Sequence, residues 1–311
     1  MEQKSRSAAV AAILSLFMPG LGHLYAGRWR LALLFYPIAF LGPALFIGGF
    51  AGLDWSLRGA FRVASWTWLV FAVGACVHAA WTARRAGKEY RLRPYNLWYF
   101  YLLLWFAGVA LPAFGITRWV QGNLLTRLDL VTDGMAPTLL AGDMVLVDRR
   151  ARTLSRLGRA DVIALQDPAD PETIRVLRLV GLPGDEIELG PEGLHLNGQA
   201  VRREEVAGAA SEHSAGGKVA PVAKFAEWLD GQKIIVLEAA DPSARRSKSF
   251  RLGPDEILAL GDNRAAAQEL APPAPVPRAN VLGRAILVMA SRDPKTGAWR
   301  SERRNLPLAF F

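Results

Sequence analysis

"VTDGMAPTLLAGDMVLVDRR", residues 131–150, joins a tight turn to a short β-type run. Gly142-Asp143 is a turn dipeptide: glycine accepts φ > 0 without steric cost, and a short Asp side chain bonds nearby backbone. "DMVLVDR" then runs apolar between charged ends, as a half-buried strand does. The same texture recurs downstream in "ADVIALQ" (160–166), "IRVLRLVGL" (174–182), "DEIELG" (185–190), "LHLNGQAV" (194–201), "KIIVLEA" (233–239), "EILALGD" (256–262) and "VLGRAILVMA" (281–290). Gly-Asp, Pro-Gly-Asp and Asn-Gly separate several of these runs, and no helical period competes over comparable lengths. Residues 121–311 therefore read as a mainly β domain with antiparallel strands. Within it "AGAASEHSAGGKVAP" (207–221) is small, polar and Gly-rich, which predicts a mobile surface loop. "LAPPAPVPRAN" (270–280) cannot supply consecutive ladder donors and predicts an extended connection.

Upstream the composition changes. The chain is 51% hydrophobic over its 311 residues, and the excess lies before residue 121. Runs at about 31–53, 63–83 and 97–117 are long enough for helices that cross a hydrocarbon core, which takes about 20 apolar residues. Trp55, Trp66, Trp81, Trp98 and Trp119 stand near their ends, where amphipathic rings favour the interface. The first apolar stretch, about 7–27, is broken by Pro19, Gly20, Gly22 and His23. It reads as a half-inserted or interfacial segment, with a fourth span as the alternative. Residues 1–120 are thus expected to form an α-helical transmembrane region. A cleavable signal peptide does not fit, because the apolar runs continue after it.

Charge supports this division. Up to Arg127 there are 13 Lys and Arg against the three acids Glu2, Asp54 and Glu89; the remainder holds 24 basic and 25 acidic residues. The formal +9 thus belongs to short clusters between apolar runs, which suits cytoplasmic loops better than a nucleic-acid face. "RRAGKEYRLRP" (84–94) is the densest cluster. If it is cytoplasmic, everything after the last span lies outside. Cys76 is the single cysteine, so no intrachain disulfide can form. His23, His78, His195 and His213 show no metal-ligand spacing, and neither metal nor cofactor is expected. "PGLGHLYAG" (19–27) resembles a short Pro-Gly-x-Gly-x-x-Tyr membrane module, which implies little about function.

Three stretches in order resemble the type I signal peptidases, membrane-anchored serine peptidases with a Ser/Lys dyad. The first is the opening stretch, against Ser-Gly-Ser-Met-x-Pro-Thr-Leu and then Gly-Asp-x-Val-Leu-Val. The second is "LRLVGLPGDEIEL" (177–189), against Lys-Arg-x-x-Gly-Leu-Pro-Gly-Asp. The third is "LALGDNRAAAQEL" (258–270), against Gly-Asp-Asn-Arg-x-x-Ser-x-Asp-Ser-Arg. The resemblance covers roughly residues 125–305 and implies a β domain of the signal-peptidase type. It also implies a bacterial cytoplasmic membrane location, with the C-terminal domain outside the cytoplasm.

Carried over residue by residue, the family nucleophile falls at Gly134, the general base at Leu177 and the hydroxyl that orients the base at Ala267. The Asp and Arg that follow fall at Glu269 and Ala271. Met135, Pro137, Thr138, Gly142 and Asp143 keep register, so Gly134 is no alignment slip. Thr132, Asp133, Gly134, Met135 and Pro137 are implied as substrate-binding positions. Asp143, Arg178, Gly184, Asp185, Gly261, Asp262, Asn263 and Arg264 read as turn and network residues. Met135 fits a groove lining or ordinary core equally well, and Val145 and Val147 fit core.

The chemistry needs a hydroxyl activated by a neutral amine, and an amine is neutral near pH 7 only when burial lowers its pKa. Glycine offers no hydroxyl and leucine no base. Arg175 and Arg178 cannot substitute, because guanidinium stays protonated. No Ser lies between Asn123 and Arg152 and no Lys between Lys88 and Lys218. The reading is a membrane protein of this type without the dyad, binding exported or signal-peptide-bearing chains. Two alternatives stand beside it: an active peptidase with a relocated nucleophile at Thr132 or Asp133, and a β domain that merely spaces the membrane module.

Overall fold

The computed structural model describes residues 6–53, 55–86, 97–206, 211–215, 218–241, 247–266 and 273–308. The chain divides into two compact units, Met1–Val120 and Gln121–Phe311.

In the first unit, Ser7 caps helix α1 (Ala8–Phe17) by accepting from the Val10 N–H. The chain breaks at Met18 and Pro19 and resumes as the single turn and a half of α2 (Leu21–Tyr25). At about 1.5 Å per residue, the ten residues of α1 reach only half of a hydrocarbon core. Two glycines set the fold-back. A Cβ on Gly20, which sits at φ +105°, would lie 2.5 Å from the Ala32 carbonyl oxygen. On Gly22 it would lie 2.0 Å from that of Ala11.

Three helical runs are long and apolar enough to cross a membrane: Trp29–Gly52, Leu57–Arg85 and Trp98–Asn123. The third runs about six residues past the apolar run read from the sequence, because "RWVQGN" carries no Pro to stop it. Leu57–Arg85 begins on a Ser56 cap and buries Ala60, Ala64, Ala72, Ala75, Ala79, Thr82 and Ala83. Small residues suit a helix in lipid, where packing comes from close backbone approach rather than from a hydrophobic drive.

The second unit is mainly β. Its largest sheet begins with β1 (Leu125–Asp129), β2 (Asp143–Asp148), β3 (Val162–Gln166) and β4 (Ile174–Gly181), and is completed by Glu256–Leu260, Val276–Pro277 and the long strand Val281–Ser291. In space the order is β1, β2, Val281–Ser291, β3, β4, Glu256–Leu260, Val276–Pro277, with Leu306–Pro307 pairing off Val281–Ser291. Every named pairing in it is antiparallel.

Period-two alternation explains which side chains are inside. Val145 and Val147 are buried while Met144 and Leu146 are half-buried. One cluster holds Met135, Leu139, Val145, Val147, Val162, Ala164, Val176, Ala285 and Val288. The opposite face carries Ile163, Leu165, Leu179, Ile257, Ala259, Val276 and Val281. A third cluster, with Val180, Ile187, Phe225, Leu229 and Leu258 among its members, joins the sheet to two smaller ones.

Those smaller sheets differ from the sequence reading in one place. Part of 207–221, expected as a mobile loop, forms strand Ser211–Ala215 against the start of the twelve-residue strand Lys218–Leu229. Residues 207–210 and 216–217 lie outside the described residues. Beyond this segment, residues 222–229 of the same strand pair with Gln232–Ala239, and residues 225–227 pair with Arg203–Glu205. The Pro-rich 270–280 stretch, where described, has a two-residue pairing at Val276–Pro277 and a short helical turn at Arg278–Asn280.

Candidate functional site

The segment 131–143 crosses from β1 to β2, and its backbone is held from three sides. Ahead of the turn, the Asp133 carboxylate accepts the Ala141 N–H at 2.8 Å, closing the loop on itself. The peptide between Ala136 and Pro137 is cis. Gly142 takes φ +88°, and a Cβ there would stand 1.8 Å from the Arg292 carbonyl oxygen, so only glycine fits.

The second support is the 261–266 segment. The Asn263 N–H donates to the Gly134 carbonyl at 3.1 Å, and its side-chain amide donates to the Asp133 carbonyl at 3.2 Å. Asn263 is itself placed by bridging Leu237 and by accepting the Ala266 N–H on its side-chain oxygen. Next to it, the Asp262 carboxylate accepts Arg178 Nε at 2.7 Å, Arg178 Nη2 at 2.5 Å and the Thr138 hydroxyl at 2.5 Å. Arg178 spends its remaining reach on the Ala160 carbonyl at 2.6 Å and on Thr138 Oγ1 at 3.2 Å. Residues 1% and 7% exposed, Asp262 and Arg178 form a buried ion pair whose lone pairs and protons are largely satisfied.

The third support comes from the end of the domain. Arg303 holds Asp143 through Nε at 3.0 Å and Nη2 at 2.5 Å, and donates to the Thr138 carbonyl at 2.9 Å. Arg300 donates to the Ala141 carbonyl at 2.9 Å and to Asp293 at 2.9 Å. The Thr296 and Lys295 N–H groups, with Arg300, hold the Asp293 carboxyl at about 2, below the usual carboxylate range. The Arg292 N–H donates to the Gly142 carbonyl at 3.0 Å. Thus 291–303 straps the loop 138–143 to Val281–Ser291.

Arg264 extends the site outward. It bonds Glu227 at 3.0 and 2.5 Å and Glu238 at 3.0 Å, and Arg203 takes the other oxygen of Glu238 at 2.7 Å. Burial alone would lower the pKa of Arg264, but the two carboxylates outweigh it and raise it. Gly184 at φ +86° makes the turn that presents Asp185 to Arg159, Asn197 and the Leu182 N–H. Gly261 is buried beside this network.

Part of the expected site is joined by these bonds. Gly134, Asp133, Asn263, Asp262, Thr138 and Arg178 are linked by the bonds above. Thr132 is exposed, and Pro137 is half-buried. Met135, read as groove or core, is 3% exposed and packs with Leu139 and Val176 in the core. Leu177 is half-buried against the cluster of Ile163, Leu165 and Leu179, on the face of β4 opposite Val176 and Arg178. Ala267, Glu269 and Ala271 lie outside the described residues. Among the described residues, no group of three His, Cys, Asp or Glu could hold a metal ion.

Along residues 174–177, β4 has a described strand partner on one side only. β3 covers that side along the whole of 174–178, whereas Glu256–Leu260 pairs only with Arg178, Leu179 and Gly181. No described strand takes the remaining backbone groups. Ile174, at the start of this edge, is 42% exposed, and Val131, at the mouth of the loop, is 87% exposed.

Arg300, Arg303, Glu227 and Glu238 were not singled out in the sequence, and Thr138 was named only for keeping register. Thr138 had a signal, since it stands in register beside Pro137. The two arginines lie about 160 residues from their partners with no local pattern to mark them.

Comparison with known proteins agrees with this frame. The family description "Signal peptidase, peptidase S26" matches residues 103–290, more than half of the chain. Signal peptidase I of Pseudomonas aeruginosa is 25% identical over 219 residues, covering 62% of this chain and 75% of that protein. Signal peptidase I U of Bacillus subtilis is 36% identical over 67 residues, covering 22% and 35%. Mitochondrial ATP-independent inner membrane protease subunit 1a of Arabidopsis thaliana is 33% identical over 61 residues, covering 19% and 36%. The matched stretch spans three quarters of the first of these relatives and about a third of the other two. A β domain, apolar helices ahead of it and a family match running from the third of those helices through most of the β domain lead to one assignment: the chain belongs to the signal peptidase family, peptidase S26.

Proposed function

We propose that this protein is a signal peptidase I-like membrane protein without catalytic activity, which binds exported or signal-peptide-bearing chains as extended strands. It would sit in the bacterial cytoplasmic membrane, with residues 121–311 outside the cytoplasm. The observation that carries the reading is Gly134 inside an otherwise supported loop: its carbonyl is held by Asn263, its neighbour Asp133 by Ala141, and no hydroxyl stands where a nucleophile would be. Leu177, at the position of the family base, is half-buried against an apolar cluster. Loss of a nucleophile in a comparable serine peptidase costs about 10⁶-fold, leaving catalysis from binding alone.

The relocated-nucleophile alternative gains nothing from the geometry. The Asp133 carboxylate is committed to the Ala141 N–H, a structural role, and no Lys lies between Lys88 and Lys218 to activate Thr132. Binding has support of its own in the side of 174–177 that no described strand pairs. An extended chain added there would gain main-chain hydrogen bonds, with Ile174 and Val131 offering apolar contact.

The test uses the full chain in detergent micelles with a fluorescent signal peptide, reading binding by anisotropy and cleavage by mass spectrometry. Binding without turnover is expected, and Val131→Asp with Ile174→Asp, both at exposed positions, should weaken it at least tenfold. Absence of binding in the unaltered protein would remove the binding role, and unchanged affinity in the double variant would place the peptide elsewhere.

A further inference from the structure

Four arginines of Met1–Val120 flank a cluster of buried alanines. Ala26 shares a buried cluster with Ala11, Ala79 and Ala83, and Tyr25 packs against it. Arg28 lies two residues beyond Ala26, and Arg84 and Arg85 follow Ala83 directly, so all three stand at one end of this packing. His23 Nε2 and His78 Nδ1, 2.8 Å apart, tie the same two helices together deeper along the bundle. Arg30 is at the start of helix Trp29–Phe35, which enters from this end.

Arg28, Arg30, Arg84 and Arg85 are all exposed. Two of them lie against rings: Arg85 is 3.7 Å from the Trp81 ring centroid and Arg30 5.6 Å from that of Trp29. The acids of this unit's sequence are Glu2, Asp54 and Glu89, so its described residues include no Asp or Glu. Four exposed guanidinium groups therefore share one end of the bundle, and the described residues of this unit include no carboxylate to neutralise them.

We propose that Arg28, Arg30, Arg84 and Arg85 form a binding site for the phosphate headgroup of an anionic membrane phospholipid. Guanidinium takes phosphate oxygens bidentately, and basic pockets between membrane helices hold anionic headgroups. Trp29 and Trp81, each 47% exposed, are the ring type that settles at headgroup depth. The lipid, rather than a soluble phosphate, is favoured by what lies along the helices from the arginines. Leu33, Leu34 and Val77 are 64%, 70% and 65% exposed, an apolar surface against which the acyl chains of the same molecule would lie. The site is independent of what the β domain binds.

The test measures affinity of the full chain in neutral detergent for fluorescent phosphatidylglycerol and for phosphatidylcholine with the same acyl chains. At least a tenfold preference for phosphatidylglycerol is expected, falling as salt rises. Each arginine near a headgroup is worth about fivefold, so Arg28→Gln, Arg84→Gln and Arg85→Gln together should weaken phosphatidylglycerol roughly a hundredfold and leave phosphatidylcholine unchanged. Arg30→Gln alone, at an exposed helix position, should cost about fivefold and serves if the triple variant does not fold. Equal affinity for the two lipids, unchanged phosphatidylglycerol affinity in the Gln variants, or displacement of the lipid by millimolar inorganic phosphate would overturn the proposal.

Discussion

Removing the Asp262 carboxylate, as Asp262→Ala, isolates Arg178. Its guanidinium, now 7% exposed, would keep only the Ala160 carbonyl and the Thr138 hydroxyl as partners for a full positive charge. Breaking a buried pair by removing one member costs about 3–5 kcal/mol, most of it the penalty on the charge left behind. That is a large share of a domain's usual margin of about 5–15 kcal/mol. Removing the whole network with Arg178→Met, Asp262→Leu and Thr138→Val abolishes that penalty, and it should restore stability to within about 1–2 kcal/mol of the unaltered protein. Hydrogen exchange in the full chain, read on peptides covering β4 and Glu256–Leu260, separates the two. Asp262→Ala should cut protection by roughly two to nearly four orders of magnitude, since about 1.4 kcal/mol is tenfold. A loss under tenfold, or a triple variant as unprotected as the single, would refute the view that the pair braces the site through its charge.

Other consequences follow from the same contacts. Gly142→Ala should lower the melting temperature of the β domain, because its Cβ would collide with the Arg292 carbonyl and φ +88° disfavours it; an unchanged melt would place the strap elsewhere. Arg303→Met leaves the fully buried Asp143 with the Leu140 N–H and no cation, and proteolysis within 131–143 should accelerate at least tenfold. For Asp185, burial raises the pKa, but Asn197, the Leu182 N–H and Arg159 lower it more, so the folded value lies below 3.8. Its contribution is then present above 3.8 and lost as pH falls toward the folded value, and Asp185→Asn should flatten acid unfolding in that window. Leu139→Ala, at a fully buried position, should cost about 2–5 kcal/mol in urea unfolding.

Much of the fold was legible because local pattern and tertiary environment agree. Val145 and Val147 alternate with Met144 and Leu146, and the structure buries the alternate members. Gly142 and Gly184 stood at turn dipeptides and take positive φ. The strand pair around 211–222 was not legible, since its small and polar residues give no alternation, and its strand Lys218–Leu229 is extended by pairing further along with Gln232–Ala239 and Arg203–Glu205. In the site, Arg178 and Asp262 could be named from their motifs, but not that they bond each other and Thr138 across 84 and 124 residues. Arg300 and Arg303 were invisible for the same reason: a clamp between distant carbonyls and carboxylates has no sequence period. Leu177 shows the converse, a position identified by motif whose neighbours depend on which face of β4 it takes.

The most direct test of the central claim is turnover by the unaltered protein. The full chain in detergent is incubated with a signal-peptide-bearing precursor, and the products are read by intact mass. The account predicts intact precursor over long incubation, and cleavage at the signal junction only after Gly134→Ser and Leu177→Lys are introduced together. Cleavage by the unaltered chain that is abolished by Asp133→Asn or Thr132→Val would contradict it.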